Sequence, residues 1–441
     1  MENQSAPALL AAGLILLTAV PSFAQAPGQA TSPKFSLGGM IAGTAQARFD
    51  VFEPFFSLRA IPKFDVSLPA GRGWSFDGEA SANVYGTLAF PRHADAATSA
   101  GLKPYRLWAR LSSARFEARL GLQQLSFGSA TLFRPLMWFD SIDPRDPLQL
   151  TDGVYGLLLR VYAKNNANAW VWGLLGNSDR RGFDLAPPDK KAVEFGGRVE
   201  VPLFKGEIAA TYHHRQASID GLTPVMSPLA SPAFSLSRIP STPSAGPGLV
   251  APWPGPPLSA SISPRAAPGS PVVLPGASPL PIAPVPEDRV GLDGKWDLGI
   301  GVWFEGALIH QRTPFLPLSY QRAYTLGADY TFSVGRGLTV IAEHFCIASA
   351  ARAFSAGNGL TFTALLVRYP LGLLDELSGI VYYDWKDRGW YRFIGWTRKT
   401  DAVTFSAIAF WDPTALAVFP GLAGSGSFAG TGLELVLAYH F

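Results

Sequence analysis

The chain of 441 residues has one cysteine, and only 16% of its residues are charged. The single thiol, Cys346, excludes an internal disulfide. It also lies far from the N-terminus, so no lipid-anchor cysteine follows the leader, and an inert wall position is expected for it. Past residue 30 no run of about 18 uninterrupted apolar residues occurs, which excludes a membrane-spanning helix there. Blocks of basic residues are missing and the net charge is +3, so no nucleic-acid footprint is expected. No GxSxG, HExxH or phosphate-binding glycine loop is present. His213-His214 stands without further ligands at metal spacing, and Glu343 and His344, adjacent on one strand, point to opposite faces. The expectation is a protein that is not an enzyme and carries neither cofactor nor metal.

What the chain does have is apolar character, with 48% hydrophobic residues. Its first block, Ala8 to Val20 (ALLAAGLILLTAV), is followed by Pro21 and the small residues of Ser22-Phe23-Ala24. That order reads as a secretory signal over residues 1–24, cleaved after Ala24 or after Ala26. The pattern departs from the usual one in having no Lys or Arg before the apolar core, and Glu2 there is acidic.

Beyond the leader the apolar residues alternate with polar ones. Tyr105, Leu107, Ala109 and Leu111 face one way and Arg106, Trp108 and Arg110 the other. Val290, Leu292, Gly294 and Trp296 oppose Arg289, Asp293, Lys295 and Asp297. Val403, Phe405, Ala407 and Ala409 oppose Thr404 and Ser406. Period-two alternation marks strands. Tight turns near 69–72, 112–114, 165–166, 204–206, 299, 335–337, 370–374 and 399–401 alternate with longer connections near 91–103, 124–152, 178–191, 216–287, 312–320, 348–359 and 412–429. This rhythm gives 18 strands. Merging or splitting at 49–54 and 384–389 makes 16 the alternative count.

The last residues, TGLELVLAYHF, put Leu433, Leu435, Leu437, Tyr439 and Phe441 on one face. A strand ending on an aromatic residue, with another two positions before it, resembles the closing strand of bacterial outer-membrane proteins. The resemblance implies an all-β fold, a transmembrane antiparallel up-and-down β-barrel over residues 25–441. Its apolar set would meet lipid and its polar set a wet lumen. It also implies an outer-membrane location, with membrane lipid and lipopolysaccharide around the barrel. The barrel-assembly machinery would read the strand that ends at Phe441. A soluble sandwich would place the same apolar set inside.

Residues 216–287 hold 18 of the 38 prolines. Proline removes a backbone donor and fixes φ, so no sheet can run through them. They read as a disordered extracellular loop, either a tolerated insertion or a surface adhesive segment.

Candidate functional groups are basic side chains on the polar face of neighbouring strands: Arg106, Arg110, Arg115, Arg119, Arg160 and Arg198, with Arg59 and Lys63 on an earlier strand. A guanidinium ladder on a pore wall lowers the barrier for anions. Acids share that face, so the arginines either set anion preference or pair and brace the wall. Residues 132–153, LFRPLMWFDSIDPRDPLQLTDG, are too apolar for an exposed loop. Either the 124–152 connection folds into the lumen, with Arg134, Arg145, Asp140, Asp143 and Asp146 at its narrowest part, or it caps the rim. The stretch GLQQLSFG followed by this loop resembles alginate-export-type 18-stranded barrels, although Gly121-Leu122-Gln123-Gln124 lacks the arginine of their motif. These resemblances imply a porin-like channel for passive passage of small, anionic solutes. The alternative is a structural, scaffold or adhesin-type barrel that binds a protein partner.

Overall fold

A computed structural model describes residues 32–92, 95–218, 284–313, 318–412, 428 and 430–441. The expected signal segment and nearly all of the proline-rich stretch lie outside them. Among the described residues the strands are β1 (Lys34–Arg48), β2 (Glu53–Gly71), β3 (Trp74–Ala89), β4 (Ala97–Ser112), β5 (Phe116–Gln123), β6 (Val154–Tyr162), β7 (Asn168–Leu174), β8 (Glu194–Leu203) and β9 (Gly206–Ala217). There follow β10 (Val285–Asp297), β11 (Gly301–Gln311), β12 (Tyr320–Phe332), β13 (Leu338–Ala350), β14 (Asn358–Pro370), β15 (Asp375–Asp384), β16 (Gly389–Lys399), β17 (Val403–Trp411) and β18 (Thr431–His440). Each pairs antiparallel with its neighbours in sequence, and β18 closes the sheet on β1 from Met40 opposite His440 to Arg48 opposite Gly432. The chain is a closed 18-stranded up-and-down barrel.

The count is 18 rather than 16 because both weakly signalled connections are real turns. Residues 49–52 join β1 to β2, and 385–388 join β15 to β16. The second is fixed by Asp384, whose carboxyl accepts the amides of Lys386 (2.8 Å) and Asp387 (3.3 Å). One end of the barrel carries only short turns, such as Arg72-Gly73 and Phe204-Lys205. The other carries the longer connections, which is the layout that puts long loops outside the cell.

Leu433, Leu435, Leu437 and Tyr439 of β18 are exposed while Glu434, Val436 and Ala438 between them are buried. The apolar set therefore faces outward, and a sheet closed on itself leaves no unpaired edge in lipid. Exposed aromatics form two outer girdles. Phe64, Phe76, Phe204, Tyr330 and Phe332 sit towards the short-turn end, and Tyr155, Phe195, Tyr212 and Tyr324 towards the other.

Two expectations about facing change. The structure pairs Ser81 with Arg106 and Ala82 with Pro104, which leaves Tyr105 as an extra residue on β4. This bulge shifts the alternation. Tyr105 consequently meets the backbone of Thr151 inside the barrel instead of lying outside with Leu107. β4 also begins at Ala97, well before the expected 103.

The second change concerns the lumen, which is not uniformly polar. Inward positions of β13–β17 carry Phe345, Phe362, Leu366, Ile380, Tyr382, Phe393, Ile408 and Phe410, all buried. On these strands both faces are apolar. The inner face is covered by Phe133 and Phe428, which arrive from connecting segments.

Candidate functional site: a loop-constricted lumen

The connection between β5 and β6 leaves the wall after Gln123, two residues past a glycine in β5. Gly121 has φ +119°, and a Cβ there would lie 2.2 Å from the Leu107 carbonyl oxygen, so only glycine allows β4 and β5 this approach. From Gln124 the chain runs through the barrel interior to the opposite wall. Glu305 on β11 accepts the amides of Ala130 (3.0 Å) and Leu136 (2.5 Å). Glu343 on β13 accepts those of Thr131 (2.6 Å), Leu132 (2.9 Å) and Phe133 (2.7 Å). The Trp303 indole also donates to Glu343 (3.1 Å), and the Thr325 hydroxyl donates to the Phe133 carbonyl (2.7 Å). Phe133, fully buried, stacks on Phe345 with ring centres 4.9 Å apart. A segment that leaves the sheet loses its ladder partners. Here two strand carboxyl groups satisfy five of its amides.

A second connection also lies inside. Residues 175–193, expected as an ordinary extracellular loop, bury Arg181, Asp184 and Ala186. Arg181 donates to the carbonyls of Phe139 (3.2 Å) and Gly153 (3.0 Å), so it holds the first segment from behind. Asp184 is gripped by Arg215 (2.8 Å) and Arg289 (2.7 Å), and both arginines also pair with Glu287. Phe183 stacks on Phe345 at 5.0 Å. Phe183 is the one aromatic residue of this connection. The composition is otherwise strongly charged, so the apolar excess that marked residues 132–153 is missing and the sequence does not single this connection out.

The expected site residues separate into two groups. Arg134 pairs with Asp140 (2.9 Å) and Arg145 with Asp143 (2.6 Å), inside the first segment. Arg106 donates to the Thr151 carbonyl (2.9 Å) and Arg198 pairs with Asp293 and Glu200. These four guanidinium groups brace the packed side of the lumen. Arg110, Arg119 and Arg160 instead stand on the inner wall of β4–β6. Arg110 pairs with Asp77 (3.0 Å), and Arg119 (2.8 Å) and Arg160 (4.0 Å) share Glu117. Trp108 and Trp170 lie under Arg119 and Arg160, at 4.9 Å and 3.8 Å from the ring centres. Arg115 is exposed in the turn between β4 and β5, at the barrel's end.

The rest of the first segment faces β1–β4 and β18. Lys103 pairs with Asp152 (2.6 Å), Arg59 lies in electrostatic reach of Asp146 and Tyr105, and Glu434 lies in reach of Asp146, Asp143 and Arg145. Burial pushes the Asp146 carboxyl above its usual range. Asp412, just after β17, is pushed up to about 7 by burial, although Arg145 and Arg392 favour its ionised form. Lowering the pH from 8 to 6 therefore removes one negative charge beside Arg145. We expect the reversal potential of the reconstituted chain to move towards that of the anion over this range, and Asp412→Asn to reduce the step.

The histidine pair is split across the wall. His213 is buried between the Trp172 indole (3.3 Å) and Glu194 (3.2 Å), whereas His214 faces outward. The two cannot share a metal, and among the described residues no cluster of three or more metal-ligating side chains occurs.

A closed antiparallel barrel with an apolar outer belt and segments folded inside is the architecture of a bacterial outer-membrane barrel. No protein-family model matches the chain, and no curated protein matches it. Solved structures do. OccK5 (OpdH) from Pseudomonas aeruginosa aligns over 94% of this chain and 98% of its own, with 12% identity and a TM-score of 0.51. The anion-selective porin from Comamonas acidovorans aligns over 93% and 100%, with 10% identity and a TM-score of 0.44. OmpT, an outer membrane protein of Vibrio cholerae, aligns over 93% and 98%, with 12% identity and a TM-score of 0.45. At such identities the likeness is one of fold.

Proposed function

We propose that the chain is a porin-like channel through which small solutes pass down their gradients, with preference for anions. The observation that carries this reading is the placement of residues 124–153. They are bound to β11 and β13 on one side and on another reach Lys103 through Asp152 and Arg59 through Asp146, while Arg110, Arg119 and Arg160 stand on the inner wall of β4–β6. A passage bounded in this way is narrower than the barrel. Guanidinium groups along it offset the cost to an anion of leaving bulk water. Arg119 and Arg160 support the preference most directly, because two guanidinium groups share the one carboxylate of Glu117.

Planar-bilayer recording of the purified chain tests the reading. Discrete conductance steps with an anion-biased reversal potential are expected. Silence would favour the other class, a scaffold barrel that grips a protein partner. Replacing Arg119 and Arg160 together by glutamine is expected to lower the anion-to-cation permeability ratio by roughly two- to fivefold, since fixed charge at the wall sets the electrostatic barrier. An unchanged ratio would remove these arginines from the selectivity argument.

A further inference from the structure

The outer surface near the long-loop end carries charge where lipid is expected. Residues 211–217 alternate, with His213 and Arg215 inside and Tyr212 and His214 outside. On β10, Glu287 and Arg289 are inside, so Asp288 is outside. On β11, Ile309 and Gln311 are inside and His310 is outside. On β12, Gln321 and Ala323 are inside, which turns Arg322 outward. Arg312 follows β11 directly and reaches back to Asp288.

Register gathers these groups into one patch. Asp288 is opposite both His214 and His310, and Arg322 is opposite Leu308. Adjacent strands are about 4.8 Å apart, so β9 to β12 span only about 15 Å. Asp288 accepts from the Tyr212 hydroxyl (2.8 Å), bonds His214 Nδ1 (2.8 Å) and pairs with Arg312. Its one negative charge thus faces Arg312 and His214 together. Arg312 stays 58% exposed. Arg322 lies near the Tyr324 phenol and forms no ion pair among the described residues. Two arginines stand against one aspartate.

Cations on the outside of a membrane barrel are costly in the hydrocarbon and favourable at the level of anionic headgroups. These lie at the ends of their strands, at or above the girdle marked by Tyr212 and Tyr324. We propose that this patch binds the phosphate of an outer-leaflet glycolipid, with Arg312 and Arg322 as the charged ligands and His214 and His310 at its sides. Guanidinium groups suit phosphate through paired N–H donors. Asp288 holds Arg312 and His214 in place and limits the affinity by competing for Arg312.

The test uses the full chain in detergent micelles, and it does not depend on whether the barrel conducts. Binding of bisphosphorylated lipid A is compared with binding of its fully dephosphorylated form. The phosphorylated lipid is expected to bind about tenfold more tightly, the difference expected from charge-assisted hydrogen bonds. Arg312→Gln with Arg322→Gln should erase that difference, and Asp288→Asn should increase it. Heat-modifiable gel mobility checks folding. If the double variant does not fold, the wild-type comparison and Asp288→Asn decide. Equal binding of the two lipids, or a preference that survives the double substitution, overturns the proposal. So does competition by inorganic phosphate at an affinity equal to that of the lipid, which would assign the patch to the free ion.

Discussion

Replacing Glu305 and Glu343 together by alanine is expected to raise single-channel conductance several-fold and to open residues 124–153 to protease. Five amides between Ala130 and Leu136 lose their acceptors in this variant. A hydrogen bond contributes about 0.5–1.5 kcal/mol net, and a buried donor left without a partner costs about 1–3 kcal/mol. The segment would then carry several unpaired amides against an apolar wall. Leaving that wall for water is its simplest relief. The strands themselves lose no backbone bond, so the barrel should still assemble and migrate as a folded species. Each glutamate replaced singly should give a smaller rise and a flickering channel, because the other still holds part of the segment. Wild-type conductance with a protected segment in the double variant would show that Phe133 and its aromatic neighbours hold it without the carboxyl groups.

Leu120→Arg is expected to destabilise the barrel by about 2–4 kcal/mol if the residue lies near the bilayer midplane, the cost found for arginine on a lipid face. Leu120 is 62% exposed on the outer surface of β5. Its neighbour Arg119 is natural, points inward and pairs with Glu117 at 2.8 Å. Two positions one residue apart on the same strand thus differ in whether an arginine is tolerated, and only the face differs. Urea unfolding in lipid vesicles measures the difference. A variant as stable as the parent would mean that residues such as Leu120 do not meet lipid, and the membrane assignment would be lost with it.

The strands were legible because their signal is local. Alternation in TGLELVLAYHF or in residues 289–298 needs only neighbouring positions, and the closing strand obeys it residue by residue. Where the local rule broke, a local feature broke it. The bulge at Tyr105 adds one residue, and the expected facing of Tyr105 changes with it. Nothing in the residue types around Pro104 and Tyr105 fixes where that extra residue falls. It depends on the register against β3.

The lumen was legible only in part. The apolar character of 132–153 marked a segment in need of cover, but not what would cover it. Its anchors lie far away in the chain: Ala130 and Glu305 are 175 positions apart, and Thr131 and Glu343 are 212 apart. The same acids were readable as lumen-facing, yet their role as acceptors for loop amides was not. Arg134, Arg145, Arg106 and Arg198 looked equivalent to Arg110, Arg119 and Arg160 for the same reason. Residue type alone does not separate them, and only the partner each meets in space distinguishes an arginine held by the inner segment from one paired on the wall.

By itself the sequence determined the membrane-barrel class, the number of strands and the outward face of most of them. The strands follow from a period of two and their count, to within two, from the rhythm of turns, whereas the membrane side of the pattern follows from the resemblance of the closing strand to those of outer-membrane proteins. The tertiary structure alone decided how the interior divides into a packed part and the rest. That division is set by two connecting segments that cross the lumen, and the contacts that place them join residues remote in sequence.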